Sequence, residues 1–89
     1  MTDQEWIQQL EEEGYKELHV VPFEPNAVVG EHTHDQATLH VILEGDMTLT
    51  DKDGEMQLYA GDRFEIPAGT VHSAKSGPNG CKFIAGVKG

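Results

Sequence analysis

The segment Gly61-Asp62-Arg63-Phe64-Glu65-Ile66-Pro67-Ala68-Gly69-Thr70-Val71-His72 decides the fold of this 89-residue chain. Its spacing is G-x5-P-x-G-x2-H. Gly61 permits a turn into a short strand, Pro67 ends that strand, and Gly69 permits a second tight turn. His72 then opens the returning strand, so its imidazole is held in a fixed place. A turn under this much constraint suits a residue that must be positioned accurately.

Short apolar runs recur on both sides of this segment, and Gly, Pro, Asn and Asp separate them. Asp53-Gly54 is a strong hairpin signal between two alternating runs. Turns at intervals of about 8–12 residues are typical of an all-β sandwich or barrel. We predict about eight short strands, near residues 18–23, 27–34, 38–43, 47–50, 55–59, 63–66, 71–75 and 81–87.

A helix is predicted before the first strand, over residues 2–13. Thr2 and Glu5 have the spacing of a capping box, and Gly14 is well placed to end the helix. One narrow apolar stripe runs along it. We expect this stripe to pack on the barrel or on a neighbouring subunit through Trp6, Ile7 and Leu10.

The run Leu39-His40-Val41-Ile42-Leu43 is largely apolar on both of its faces. Side chains alternate between the faces of a strand, so His40 and Ile42 share one face with Thr38, and the Leu and Val side chains share the other. Both faces therefore need cover. One face can line a barrel, and the other needs a second sheet, the N-terminal helix or a second chain. Because the chain is so short, we predict a homodimer.

Composition limits the classes of function. The chain has 16 acidic and 6 basic residues and a net charge of −10 at pH 7, which repels nucleic-acid phosphates and anionic lipids. No apolar stretch approaches about 18 residues, and Met1–Glu5 lacks the basic and apolar regions of a secretory signal. The single cysteine, Cys81, fits a reducing compartment. We therefore expect a cytoplasmic protein that binds neither nucleic acid nor membrane.

Five histidines carry the candidate chemistry. His32 and His34 form a His-x-His pair, and side chains at i and i+2 of a strand point the same way, about 6–7 Å apart. Two imidazoles at that spacing can bind one metal ion. His-x-His also occurs on solvated strands, so the pair alone leaves open a strand without metal. His19, in the first predicted strand, is interpreted as structural.

Together these features resemble the cupin family. Its members carry the motifs G-x5-H-x-H-x3,4-E-x6-G and G-x5-P-x-G-x2-H-x3-N on a small antiparallel β-barrel. The second motif matches from Gly61 through His72, and Ser76 stands where asparagine is usual. The resemblance covers about residues 18–87, and it implies an all-β cupin barrel or jelly roll with one short N-terminal helix.

The first cupin motif matches less completely. His32, His34 and Gly45 stand at the expected positions. Its opening glycine falls on Asn26, and its glutamate falls on Thr38. This glutamate is the position that matters most, because family members bind Fe, Mn, Ni, Zn or Cu through three histidines and one glutamate.

The resemblance implies one divalent transition metal, but with an altered fourth ligand. Thr38 is a poor ligand, whereas His40 lies on the same strand face two residues later. The alternative for His40 is that it only lines the pocket and forms hydrogen bonds there. Imidazole donors favour Zn, Fe, Ni or Cu over Mn or Mg. The predicted metal ligands are His32, His34 and His72, with His40 as the candidate fourth.

Three classes of function stay open. The first is a metal-dependent enzyme, such as a dioxygenase, isomerase or lyase, that acts on a small organic substrate. The second is a non-catalytic cupin that binds or senses a small ligand or a metal, and the third is a degenerate cupin without metal. No catalytic residue is predicted, since strand parity places no carboxylate inside the pocket. We expect one domain over residues 1–89, with the barrel at 17–87.

Overall fold

The computed structural model describes residues 1–88, so Gly89, the last residue of the predicted domain, lies outside the described residues. No helix within the described range is long and apolar enough to cross a lipid bilayer. The elements in chain order are α1 (Asp3–Glu12), β1 (Tyr15–Phe23), β2 (Val28–His32), β3 (Thr38–Asp51), β4 (Gly54–Tyr59), β5 (Arg63–Ile66) and β6 (His72–Lys88).

Two long strands, β3 and β6, run through both halves of the fold. The first part of β3 pairs with β5 and with the last part of β6, and the second part of β3 pairs with β4 and with the first part of β6. β1 and β2 pair with the last and first parts of β6. The result is an antiparallel jelly roll with a β5 half, in the order β1-β6-β3-β5, and a β4 half, in the order β2-β6-β3-β4. The all-β cupin-type fold is confirmed.

Glycine permits β3 and β6 to cross between the two halves. The register between these strands shifts on either side of Gly45. Gly45 has a φ of 74°, and a Cβ at this position would collide with the carbonyl oxygen of Gly80. Only glycine therefore allows the two backbones to approach so closely.

The eight predicted runs appear as six strands in the described residues. The runs at 38–43 and 47–50 are the two parts of β3, and those at 71–75 and 81–87 are the two parts of β6. The glycines between the runs bend each strand rather than end it.

The helix α1 covers the outer face of the β5 half. Thr2 caps it with the predicted capping box. Leu10, fully buried, packs in one cluster with Leu39, Val41 and Ile84. The predicted alternation of faces along β3 is confirmed, since Ile42 belongs to the separate interior cluster. The apolar outer face thus finds its cover within the chain.

Candidate metal centre

Three of the predicted ligands lie together where β2 pairs with the start of β6. His32 ends β2, His72 begins β6, and the two are paired directly across the strands. The ring centroids are 4.2 Å apart for His32 and His72, 4.9 Å for His32 and His34, and 5.3 Å for His34 and His72. One ring nitrogen from each lies within 4.8 Å of the other two. Nitrogen donors grouped in this way can bind a single metal ion.

The prediction that His34 lies on the same strand as His32 was wrong, since β2 ends at His32 and His34 reaches this group from the loop that follows. Its carbonyl oxygen accepts a hydrogen bond of 2.9 Å from the Gly69 backbone N–H. Gly69, with a φ of 78°, lies in the turn that follows Pro67. The turn of the second motif therefore holds the loop of the first motif in place.

Backbone carbonyls select the tautomer of two imidazoles. Nδ1 of His32 lies 2.8 Å from the Gly30 carbonyl oxygen, and Nδ1 of His72 lies 3.0 Å from that of Thr70. A carbonyl oxygen can only accept, so each Nδ1 carries a proton, and the neutral form of each ring presents its lone pair at Nε2.

The Nε2 atom of His72 is buried and has no hydrogen-bond partner within the described residues. A buried polar atom left without a partner costs about 1–3 kcal/mol. In an imidazole that binds a metal through one ring nitrogen, the other ring N–H commonly donates a hydrogen bond to a carbonyl oxygen. The Nδ1–H groups of His32 and His72 do so here. The three donors therefore fit a divalent metal ion.

Desolvation favours the neutral imidazoles that metal binding requires. His34 is largely exposed, yet partial desolvation lowers its pKa, and its neighbours His32 and His72 lower it further. Burial lowers the pKa of His40 to about 4, with a smaller contribution from the three other imidazoles.

His40 lies outside the group of three but lines the same cavity. It is 8% exposed, its ring lies 5.5 Å from that of Phe83, and its Nδ1 atom is buried without a partner. Thr38 also lines this cavity, and its hydroxyl donates to the Gln36 carbonyl oxygen at 3.3 Å. Whether His40 is a fourth ligand or a hydrogen-bonding wall residue stays a prediction with two alternatives.

A cavity of about 480 Å³, here called the large cavity, adjoins the three histidines. Its size falls in the range of small-molecule sites, about 300–1,000 Å³. None of the lysines or arginines in residues 1–88 lines it. Beside the histidines its walls are mainly apolar, with contributions from Val21, Phe23, Val29, Met47, Leu49 and Phe83.

Sequence reasoning missed Glu17 and assigned His19 to structure alone, yet both line the large cavity. β1 carries an extra residue between Lys16 and His19, and Glu17 adopts a φ of 56°. Nδ1 of His19 donates to the Glu17 carbonyl oxygen at 2.9 Å. Strand parity therefore missed an acidic residue among those that line the cavity, although Glu17 itself is exposed. Regular alternation cannot reveal a bulge, and no residue type in this segment marks one.

The chain belongs to the cupin family, since a family model described as a cupin domain matches residues 19–84. A cupin superfamily protein from Desulfitobacterium hafniense is 24% identical, with a TM-score of 0.73 over 80% of this chain and 64% of the other. A Neisseria meningitidis protein is 27% identical, with a TM-score of 0.71 over 85% and 76%. A Thermotoga maritima cupin-like protein is 25% identical, with a TM-score of 0.73 over 80% and 55%. No curated protein sequence matches the chain.

The chain is shorter than several of these similar proteins. It spans 64% of the Desulfitobacterium chain and 55% of the Thermotoga chain. The likeness supports the jelly-roll fold, whereas any activity has to be argued from the residues of the site.

Proposed function

We propose that this chain is a small metal-binding cupin that holds an organic molecule in the large cavity beside the metal. The ligands are His32, His34 and His72, and the metal is one divalent transition ion. The observation that carries the proposal is the buried Nε2 atom of His72, which lacks a partner although two other imidazoles lie beside it.

The chemistry of the ligand atoms narrows the choice of metal ion. Neutral nitrogen ligands favour Zn, Fe, Ni or Cu. They also leave the ion its full charge, so that it acts as a Lewis acid toward a molecule bound next to it. The enzymes compatible with such a site are a dioxygenase, an isomerase or a lyase, and the alternative is a non-catalytic cupin that binds or senses a ligand.

The walls of the large cavity indicate the class of organic ligand. No lysine or arginine among residues 1–88 faces this space, and the whole chain carries a net charge of −10. A phosphorylated or polycarboxylic molecule would be repelled from it. A largely apolar molecule with one neutral or singly charged polar group fits better, because the metal would be the only cation available to it.

Metal binding tests the proposal directly. We expect the wild-type protein, loaded with Zn²⁺, Ni²⁺ or Co²⁺ and desalted, to retain about one ion per chain by mass spectrometry of the metal. We expect His72→Ala to lose affinity at least about 100-fold, because removal of a supporting residue alone costs about 10–100-fold. The matched control His19→Ala removes an imidazole outside the group of three and should keep the ion. A wild-type protein that retains none of these metals would refute the proposal.

The fourth position is tested by His40→Gln. A loss of affinity as large as that of His72→Ala would identify His40 as a ligand. Unchanged affinity would place it among the residues that contact the organic molecule.

Measurement of turnover distinguishes the enzyme hypothesis from the non-catalytic alternative. Oxygen uptake by the iron-loaded protein with a panel of small organic acids, thiols and sugars would support a dioxygenase. Binding of panel members to the metal-loaded protein without product would support the non-catalytic alternative.

We also propose a homodimer in a reducing, cytoplasmic environment. A domain this small buries a limited share of its surface, and Val28 and Tyr59 leave large apolar areas exposed, at 71% and 59%. Cys81 is the one cysteine in the chain, and burial raises its pKa to about 11, which keeps the thiol unreactive. Sedimentation as a monomer at micromolar concentration would contradict the dimer.

A further inference from the structure

The large cavity extends from the three histidines into the β5 half of the fold. In that half, Ala85 of β6 pairs with His19 of β1 on one side and with His40 of β3 on the other. All three residues line the large cavity. Neighbouring strands lie about 4.7–4.9 Å apart, and an alanine carries only a methyl group, so a recess is left over Ala85 between the two imidazoles.

His40 forms the buried side of this recess. It is 8% exposed, whereas His19 on the other side is exposed. The Nδ1 atom of His40 is enclosed without a partner among residues 1–88, but its Nε2 atom is not enclosed in this way. Nε2 is therefore the ring nitrogen that a molecule in the large cavity can reach. Because a polar ring in an apolar wall costs free energy unless it is hydrogen-bonded, His40 calls for a partner from outside the chain.

His40 is poorly placed to bind the same ion as the other three histidines. Two nitrogen donors on one ion, each about 2.0–2.1 Å from it, are at most about 4 Å apart. His32, His34 and His72 each offer a ring nitrogen within 4.8 Å of the others, and His40 lies outside that group. It lines the same cavity, so it faces the space in which the organic molecule of the proposed function would lie.

An uncharged imidazole limits the chemical group that it can recognise. Burial lowers the pKa of His40 to about 4, so the ring is neutral at neutral pH. A carboxylate or phosphate group would lose its hydration beside His40 without gaining an ion pair. A hydroxyl group can both donate and accept a hydrogen bond, so it complements Nε2 in either tautomer of the ring.

We propose that the organic ligand carries a hydroxyl group that hydrogen-bonds to Nε2 of His40, while its apolar body lies over Ala85 and a second polar atom binds the metal. This inference rests on the proposed function and names its ligand class, a hydroxylated molecule with an apolar body. His40 selects the hydroxyl group, and the small side chain of Ala85 sets the size of the body that fits.

The test compares N-phenylimidazole with its ortho-, meta- and para-hydroxy derivatives on the Co²⁺-loaded protein. The imidazole nitrogen of each probe binds the cobalt ion and changes its visible absorption, which gives the affinity. We expect at least one hydroxy derivative to bind wild type about two- to tenfold more tightly than N-phenylimidazole, as one hydrogen bond would provide.

Two variants of His40 isolate the hydrogen bond. His40→Phe keeps a flat ring without a hydrogen-bonding atom, and we expect it to remove the preference for the hydroxyl group. His40→Gln offers an amide donor and acceptor and should restore part of that preference. The affinity for Co²⁺ should stay unchanged in both variants.

Ala85→Val tests where the apolar body lies. The added methyl groups fill the recess, so we expect N-phenylimidazole to bind about tenfold more weakly or worse. Free imidazole, which is small enough to reach the metal without the recess, should keep its wild-type affinity. The matched control Ala60→Val alters an exposed alanine outside the large cavity and should change neither affinity. Far-UV circular dichroism confirms the fold of each variant.

Several results would overturn this inference and leave the metal site intact. They are equal affinities of wild type for all four probes, a hydroxyl preference that persists in His40→Phe, and unchanged binding of N-phenylimidazole by Ala85→Val. A loss of Co²⁺ affinity in His40→Phe would assign His40 to the metal instead. A wild-type protein that retains no Co²⁺ would overturn the proposed function, and this inference with it.

Discussion

The two faces of β3 over residues 38–43 share one backbone but meet opposite surroundings. On the outer face, Leu39 and Val41 are buried under Leu10 of α1 among apolar side chains. On the inner face, Thr38 and His40 line a cavity, and a buried nitrogen of His40 has no partner. Close-packed apolar side chains stabilise a fold. Buried polar atoms without a hydrogen-bond partner are rare and call for an explanation. We therefore assign stability to the outer face and binding to the inner one.

The largest effect on stability is expected on the outer face. Leu10→Ala removes a fully buried side chain, and we expect it to lower the free energy of unfolding by about 2–5 kcal/mol. Urea denaturation of the metal-free protein measures this, with the partly buried Ile7→Ala as a milder control. The affinity of the folded variant for metal should not change. A variant with normal stability but weakened metal binding would contradict this division between the faces.

The next effect concerns the inner face and depends on pH. The pKa of His40 is about 4 in the fold against an ordinary value of 6.5, so the unfolded chain takes up a proton at a higher pH than the folded one. Well above pH 6.5 the imidazole is neutral in both states, so its ionisation adds nothing to the pH dependence of stability there. As the pH falls from 6.5 to 4, it should cost about 3 kcal/mol.

His40→Phe isolates this contribution in the metal-free protein. We expect the variant to lose less stability than wild type between pH 6.5 and 4, as measured by urea denaturation at each pH. Parallel curves for the two proteins would show that the His40 imidazole takes up its proton in the fold as readily as in the unfolded chain.

The smallest effect on stability is expected from a partly exposed ion pair at the edge of the outer face. The Arg63 guanidinium lies 2.8 Å from a Glu13 carboxylate oxygen, and its hydrogen bond lowers the pKa of that carboxyl group. Both side chains are partly exposed, so solvent weakens the pair. We expect Glu13→Gln to lower the melting temperature only slightly at neutral pH. Its contribution is lost as the pH falls below 4.5, and wild type and variant should then melt alike.

Much of this molecule follows from local sequence. The capping box at Thr2, the alternation of faces along β3, and the turn before His72 depend on contacts a few residues apart. The convergence of His32, His34 and His72 was expected from the resemblance of two spaced motifs to those of the cupin family. The alternation of polar and apolar residues also sufficed to place His40 on the inner face.

Other features depend on contacts between distant segments. The cover of Leu39 and Val41 was left open between a helix and a second chain, and only the packed fold selects α1. The bulge that brings Glu17 to the large cavity exists because β1 and β6 differ by one residue in length there. The large cavity forms where β1, β2, β3 and β6 meet, and no local pattern encodes a space between elements. The sequence thus determined which residues carry the chemistry, and the tertiary structure decided which of them share a cavity, since that depends on register and packing across the whole chain.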